Sequence, residues 1–198
     1  PLCKDVTREF FKVRGTRVTA SMTPPPMSYG GYYQTVVLTD DQELTRTGPG
    51  TPCGEYMRRF WWPVAMVEQV TDLPLLIKVL GEELVLFRDL SGRLGLLHKH
   101  CSHRRASLEY GIPAEHGIRC CYHGWLFDID GRVLEVPGEP DNSTIPQRVC
   151  HGAYPVIEHN GLVFAYLGPP EQKPPFLHLD TMSIADHDMV PYAIDYPC

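Results

Sequence analysis

The sequence holds no apolar run approaching the ~18 residues that a membrane-crossing helix requires, so no such helix and no membrane partner are expected. Its first thirty residues also lack the continuous apolar stretch of a cleavable secretory signal. Positive charge is scarce: 18 Lys and Arg against 24 Asp and Glu leave a net charge of −6, which argues against nucleic acid as a partner. The seven cysteines are an odd number, and Cys3, Cys53, Cys121, Cys150 and Cys198 form no regular disulfide framework. A reducing, cytoplasmic location is therefore expected. There is no internal repeat. Proline and glycine, by contrast, are plentiful at 19 and 17 of 198 residues, with proline at about twice its average share. Together with 43% hydrophobic residues this suits one loop-rich domain with additions. The fold class expected is all-β, mainly antiparallel, with a short N-terminal helix and irregular tails.

Residues 1–36 differ from the rest. Lys4, Arg8, Lys12, Arg14 and Arg17 outnumber Asp5 and Glu9, Pro24-Pro25-Pro26 and Gly30-Gly31 follow, and no apolar period is sustained. A disordered lead is expected there. In the helical lead-in, residues 37–62, Thr51-Pro52 reads as an N-cap followed by proline at the first helical position, opening a helix through about Phe60. Trp61-Trp62-Pro63 should leave that helix and pack on a sheet. The main domain, residues 63–168, is marked by hairpins. Leu75–Leu80 and Leu84–Phe87 flank Gly81-Glu82, Ser91-Gly92 turns the chain into Leu94–Leu97, and Asp130-Gly131 reads as a further hairpin turn. Asn160-Gly161 lies between two apolar runs, the strongest short-range hairpin signal. Gly168-Pro169-Pro170 to Lys173-Pro174-Pro175 reads as a stiff linker opening residues 169–198.

The chemistry concentrates in two short segments, Cys101-Ser102-His103 and Cys120-Cys121-Tyr122-His123. Each offers one thiolate and one imidazole, as C-x-H and C-x-x-H separated by sixteen residues. A [2Fe–2S] cluster can carry two cysteines on one iron and two histidines on the other, so two loops facing each other can each supply one ligand to each iron. A structural zinc site is the alternative, but zinc modules usually pair CxxC with HxxxH or a second CxxC. Cys121 would serve only if the loop slipped by one residue, and is expected to be a small packed thiol. His98 and His100 share a face if extended, but read as ordinary strand-end histidines.

This pattern, followed by Gly124-Trp125, resembles a Rieske cluster-binding motif. Respiratory members of that family resemble C-x-H-x-x-C and C-x-C-H, whose extra cysteines form a bracing disulfide; here those positions are Ala106 and Tyr122. Three further stretches resemble the large subunit of Rieske non-heme iron oxygenases of the phthalate-dioxygenase-like group. They are Thr45-Arg46-Thr47-Gly48-Pro49-Gly50-Thr51-Pro52, Arg58-Arg59-Phe60-Trp61-Trp62-Pro63-Val64-Ala65, and Gly117-Ile118-Arg119 leading into the second loop.

The resemblance implies a Rieske-type β-sandwich with a small cluster-binding subdomain. It assigns Cys101 and Cys120 to one iron and His103 and His123 to the other, with His123 facing a carboxylate of a neighbouring subunit. It implies a cluster potential near the lower end of the Rieske range. It further implies an NAD(P)H-dependent reductase or ferredoxin as electron donor, trimer-type assembly, and an aromatic substrate for hydroxylation or demethylation. The mononuclear Fe(II) of such oxygenases is expected beyond Cys198, so the chain is expected to relay electrons without oxygenating by itself. His178, Asp180, Asp186, His187 and Asp188 precede that site and are not expected to supply it. A stand-alone Rieske ferredoxin is the second expectation and a zinc-stabilised interaction module the third.

Overall fold

The computed structural model describes residues 41–178 and Tyr192. The lead over 1–36 and most of the segment after Lys173, including Asp180, Asp186, His187 and Asp188, lie outside the described residues.

Two short helices open the described chain. Asp41 caps α1 (Gln42–Thr45), its carboxylate accepting from Glu43 N–H, and Thr51 caps α2 (Pro52–Met57), its hydroxyl accepting from Gly54 N–H. The second helix ends three residues before the sequence suggests. Arg58 N–H still bonds back to Gly54, but Arg59 and Phe60 turn the chain into β1 (Trp61–Met66). Trp61 and Trp62 are thus part of a sheet rather than packed on one.

The strands that follow are β2 (Leu75–Val79), β3 (Glu82–Arg88), β4 (Leu94–His98), β5 (Ile112–Ala114), β6 (Gly117–Arg119), β7 (Leu126–Phe127) and β8 (Val133–Glu135). After the single turn α3 (Ile145–Arg148) come β9 (Ala153–Tyr154), β10 (Val156–His159) and β11 (Leu162–Tyr166). All named pairings are antiparallel. They make three sheets, ordered β1-β11-β10, β2-β3-β4-β9 and β5-β6-β7-β8.

The second of these sheets is covered on both faces. Along β3, Leu84, Val85, Leu86 and Phe87 are all fully buried, and alternation sends neighbours to opposite sides. Leu84, Leu86 and Leu96 pack with Val163, Ala165 and Leu167 on the β11 side. Val85, Phe87 and Leu97 pack with Ile118, Phe127 and Val133 on the other. The sequence cannot separate such a run from a buried helix by period alone; the flanking turns decide it. Two hairpins close on residue pairs with positive φ: Leu80-Gly81 (45° and 78°) and Asn160-Gly161 (46° and 75°). The Asn-Gly hairpin matches expectation. The first turn sits one residue earlier than the sequence suggests, because Glu82 already pairs with Val79.

Phe176 packs edge-on against both Trp61 and Phe164, and Trp61 Nε1–H donates to Pro174 O at 3.1 Å. The proline-rich stretch after Gly168, which includes a 3-10 turn at Pro170–Gln172, therefore lies back along β1 and β11.

Candidate metal centre

Both Cys–His loops place their cysteines in the core between the central sheet and the β5–β8 sheet. The first leaves β4 and is closed by Cys101 N–H to Ala106 O at 2.9 Å and Arg105 N–H to Cys101 O at 2.8 Å. Arg105 holds φ +60° to make that turn, and its carbonyl lies 3.1 Å from His100 Nδ1. The second loop joins β6 to β7. Cys120 N–H donates to Trp125 O at 2.8 Å, and Gly124 N–H to Cys120 O at 3.0 Å. Gly124 stands at φ +75°, where a β-carbon would also meet Pro137, so glycine suits the return of the loop. Arg119, on β6, braces this loop from below, donating from Nη1 to Gly124 O at 2.8 Å and from Nη2 to Glu135 Oε2 at 2.6 Å.

The loops bring their donors together in pairs. The His103 and His123 rings lie 4.7 Å apart between centroids, and Trp125 stacks flat on His103 at 4.7 Å and 3°. Cys101 and Cys120 are almost fully buried. Burial pushes the Cys101 thiol up to about 11; the N–H groups of His103 and Arg104 oppose that shift while neighbouring Cys120 adds to it. Two adjacent buried thiols resist ionising together unless a cationic centre sits between them. Partial burial, with His103 and Arg104 nearby, lowers His123 below its ordinary value and favours the neutral, ligating imidazole.

His103 Nδ1 is buried without a hydrogen-bond partner. A buried polar nitrogen in that state is costly unless something accepts its lone pair. Among the described residues no three Cys, His, Asp or Glu side chains converge as they would on one ion. A thiol pair beside an imidazole pair instead fits two metals, each taking two protein ligands, which is the donor demand of a mixed-ligand [2Fe–2S] cluster.

The remaining sequence candidates fall elsewhere. Cys121 is exposed, contrary to the packed thiol expected, because the tight turn from Cys120 to His123 leaves it and Tyr122 on the outer side. Tyr122 is 60% exposed and Ala106 packs on the core, so neither disulfide position of the respiratory pattern carries a thiol. His98 ends β4 as expected and lies 3.4 Å from Glu82 Oε2, while His100 turns to Arg105, so the two do not form a second site. His178 stacks edge-on with His159 at 5.0 Å. Trp125 and Arg119 stand in the stretches that carry the family resemblance, but their roles, stacking on His103 and bracing the second loop, come from the structure. The Ser102–His151 contact spans 49 residues and gives no local signal.

The model for the Rieske [2Fe-2S] domain matches residues 60–151. Over 82% of its length the chain is 52% identical to the oxygenase subunit of tert-butanol monooxygenase / tert-amyl alcohol desaturase from Aquincola tertiaricarbonis, of which it covers 35%. It is 53% identical over 73% of its length to the alpha subunit of phenoxybenzoate dioxygenase from Ectopseudomonas oleovorans, covering 36%. Among solved structures, dicamba monooxygenase with non-heme iron and dicamba aligns at a TM-score of 0.56 and 30% identity over 61% of this chain and 36% of that one. An oxygenase–ferredoxin complex of carbazole 1,9a-dioxygenase aligns at 0.52 and 33%, over 60% and 31%. The chain spans about a third of the length of the curated relatives it matches. By fold, by its Cys–His loops and by these likenesses, residues 60–151 are a Rieske [2Fe–2S] domain, similar to the corresponding part of the oxygenase (alpha) subunits of Rieske oxygenases.

Proposed function

We propose that this chain is the electron-transfer part of a Rieske-type oxygenase, with Cys101 and Cys120 holding one iron of the cluster and His103 and His123 the other. The observation that carries the assignment is the paired arrangement of these donors around the unpartnered, buried His103 Nδ1. A bound cluster would supply storage for one electron. The chain's own residues do the rest. The His103 and Arg104 N–H groups point at the Cys101 sulfur and temper its charge. Trp125 covers one face of His103, leaving His123, which has no such cover from Trp125, as the exit toward an acceptor. Tyr122, with its ring 3.7 Å from that of His123, extends the exposed side of the loop.

The electron donor on this reading is a ferredoxin or an NAD(P)H-dependent reductase, supported by the ferredoxin complex of the carbazole oxygenase. The electron leaves for a mononuclear iron site of the oxygenase, across a subunit boundary in a trimer-type assembly. The two relatives at 52 and 53% identity are named for a tertiary alcohol and for a phenoxybenzoate. Similarity over this stretch therefore does not discriminate substrates, and an aromatic acid stays a family-level proposal. The five cysteines among the described residues are all unpaired, which supports a reducing compartment.

The test is metal and acid-labile sulfide analysis with electron paramagnetic resonance of the reduced protein, made under iron-sufficient conditions. Two irons, two sulfides and a Rieske-type signal are expected. Stoichiometric zinc without iron would sink the assignment.

A further inference from the structure

One buried histidine outside the four donors reaches the site through a single hydroxyl. His151 is 3% exposed, lies beside Phe127 at 4.7 Å between centroids, and is anchored by its N–H to Gly131 O at 2.7 Å. Its Nε2 lies 2.8 Å from His98 O and its Nδ1 2.7 Å from Ser102 Oγ. A backbone carbonyl only accepts, so Nε2 carries the proton; Nδ1 is then a bare acceptor, and the Ser102 hydroxyl is the donor. Burial and the neighbouring His98 ring lower His151 against the opposing pull of the His98 carbonyl, which keeps this neutral tautomer.

Ser102 sits between Cys101 and His103 and has one hydroxyl proton. A hydroxyl beside the sulfur donors of a cluster has two uses for that proton. Donated to sulfur, it would stabilise the more negative, reduced state and raise the potential. Donated to His151, it leaves the sulfurs without that bond. We propose that His151 is a positioning residue of the metal centre: it ties the first loop to the end of β4 and draws the Ser102 proton away from the sulfurs, holding the potential low. This rests on the ligand assignment above.

The experiment is a potentiometric titration of the cluster-loaded full chain, followed by visible absorption and electron paramagnetic resonance. Ser102→Ala should leave the potential where the wild type has it. His151→Leu frees the hydroxyl and should raise the potential, and adding Ser102→Ala to it should bring the potential back. His151→Gln offers both a donor and an acceptor and should stay near the wild type. A lowered potential in Ser102→Ala would mean the hydroxyl bonds sulfur already and would overturn the proposal, as would an unmoved potential in His151→Leu. Should His151→Leu fail to retain a cluster, Ser102→Ala carries the decision alone. A wild type with no [2Fe–2S] spectrum would instead refute the ligand assignment.

Discussion

At the scale of single residues, the donors carry different charges, and substitution separates their roles. Replacing a neutral imidazole by a thiolate adds negative charge to the iron it holds and disfavours reduction. His123→Cys should therefore retain a cluster at a lower potential than the wild type, read by the same titration; an unchanged potential would contradict His123 as a ligand. A second residue-scale device lies away from the loops. Arg58 is buried among the carbonyls of Thr47, Gly54 and Leu80 and pairs with Glu82 at 2.7 Å, while Tyr154 O–H donates to the other Glu82 oxygen at 2.8 Å. Burial alone would raise the Glu82 carboxyl, but His98, Arg58 and Tyr154 outweigh it and bring it from 4.5 to about 2. A depressed folded value stabilises the fold above the unfolded value, and that stability is lost as pH falls through the folded one. Glu82→Gln should cost about 3 kcal/mol at neutral pH by leaving Arg58 without its anion. The gap between variant and wild type should close between pH 4.5 and about 2, as measured by urea unfolding.

At the scale of elements, turns were legible where the chemistry is local and illegible where it is not. Asn160-Gly161 supplies two residues that accept positive φ, and the hairpin forms where the sequence places it. Leu80 adopts the same left-handed geometry with a branched apolar side chain, which displaced the expected turn by one residue. That conformation costs a non-glycine L-residue about 1 kcal/mol. Because Leu80 belongs to neither core cluster, Leu80→Asn should raise stability by about that amount in thermal unfolding. Gly117 opens β6 at φ +117°, and a β-carbon there would collide with the Phe127 carbonyl. Gly117→Ala should cost about 3 kcal/mol and loosen the β6–β7 pairing that frames the second loop. The ligands were legible because C-x-H and C-x-x-H put each donor pair within one tight loop. The braces were not: Arg119 reaches Glu135 sixteen residues on, and His151 reaches Ser102 across 49. Long-range bonds of this kind leave no spacing pattern to find.

At the scale of the whole molecule, the central sheet divides two cores of unequal dependence on metal. Cys101, Cys120 and Trp125 belong to the same packed cluster as Val85, Phe87, Leu97 and Phe127, so the metal site is continuous with the core on one face. On the other face Leu84, Leu86 and Leu96 pack with Val163, Ala165 and Leu167, and no proposed ligand takes part. No disulfide joins the two loops, which are fastened instead by Arg119 on one side and by Ser102 with His151 on the other. Without metal, two buried thiols and the unpartnered His103 nitrogen would remain inside that first core. Because ligand binding and folding draw on the same contacts, removing the metal should release this layer before the other. Hydrogen exchange on chelator-treated protein should then show protection lost first over residues 100–107 and 117–135. Amides of β1, β10 and β11 should keep theirs, since their ladder and packing draw on the second core. Uniform loss across all three sheets would mean that the two cores fold as one unit and that the metal supports both.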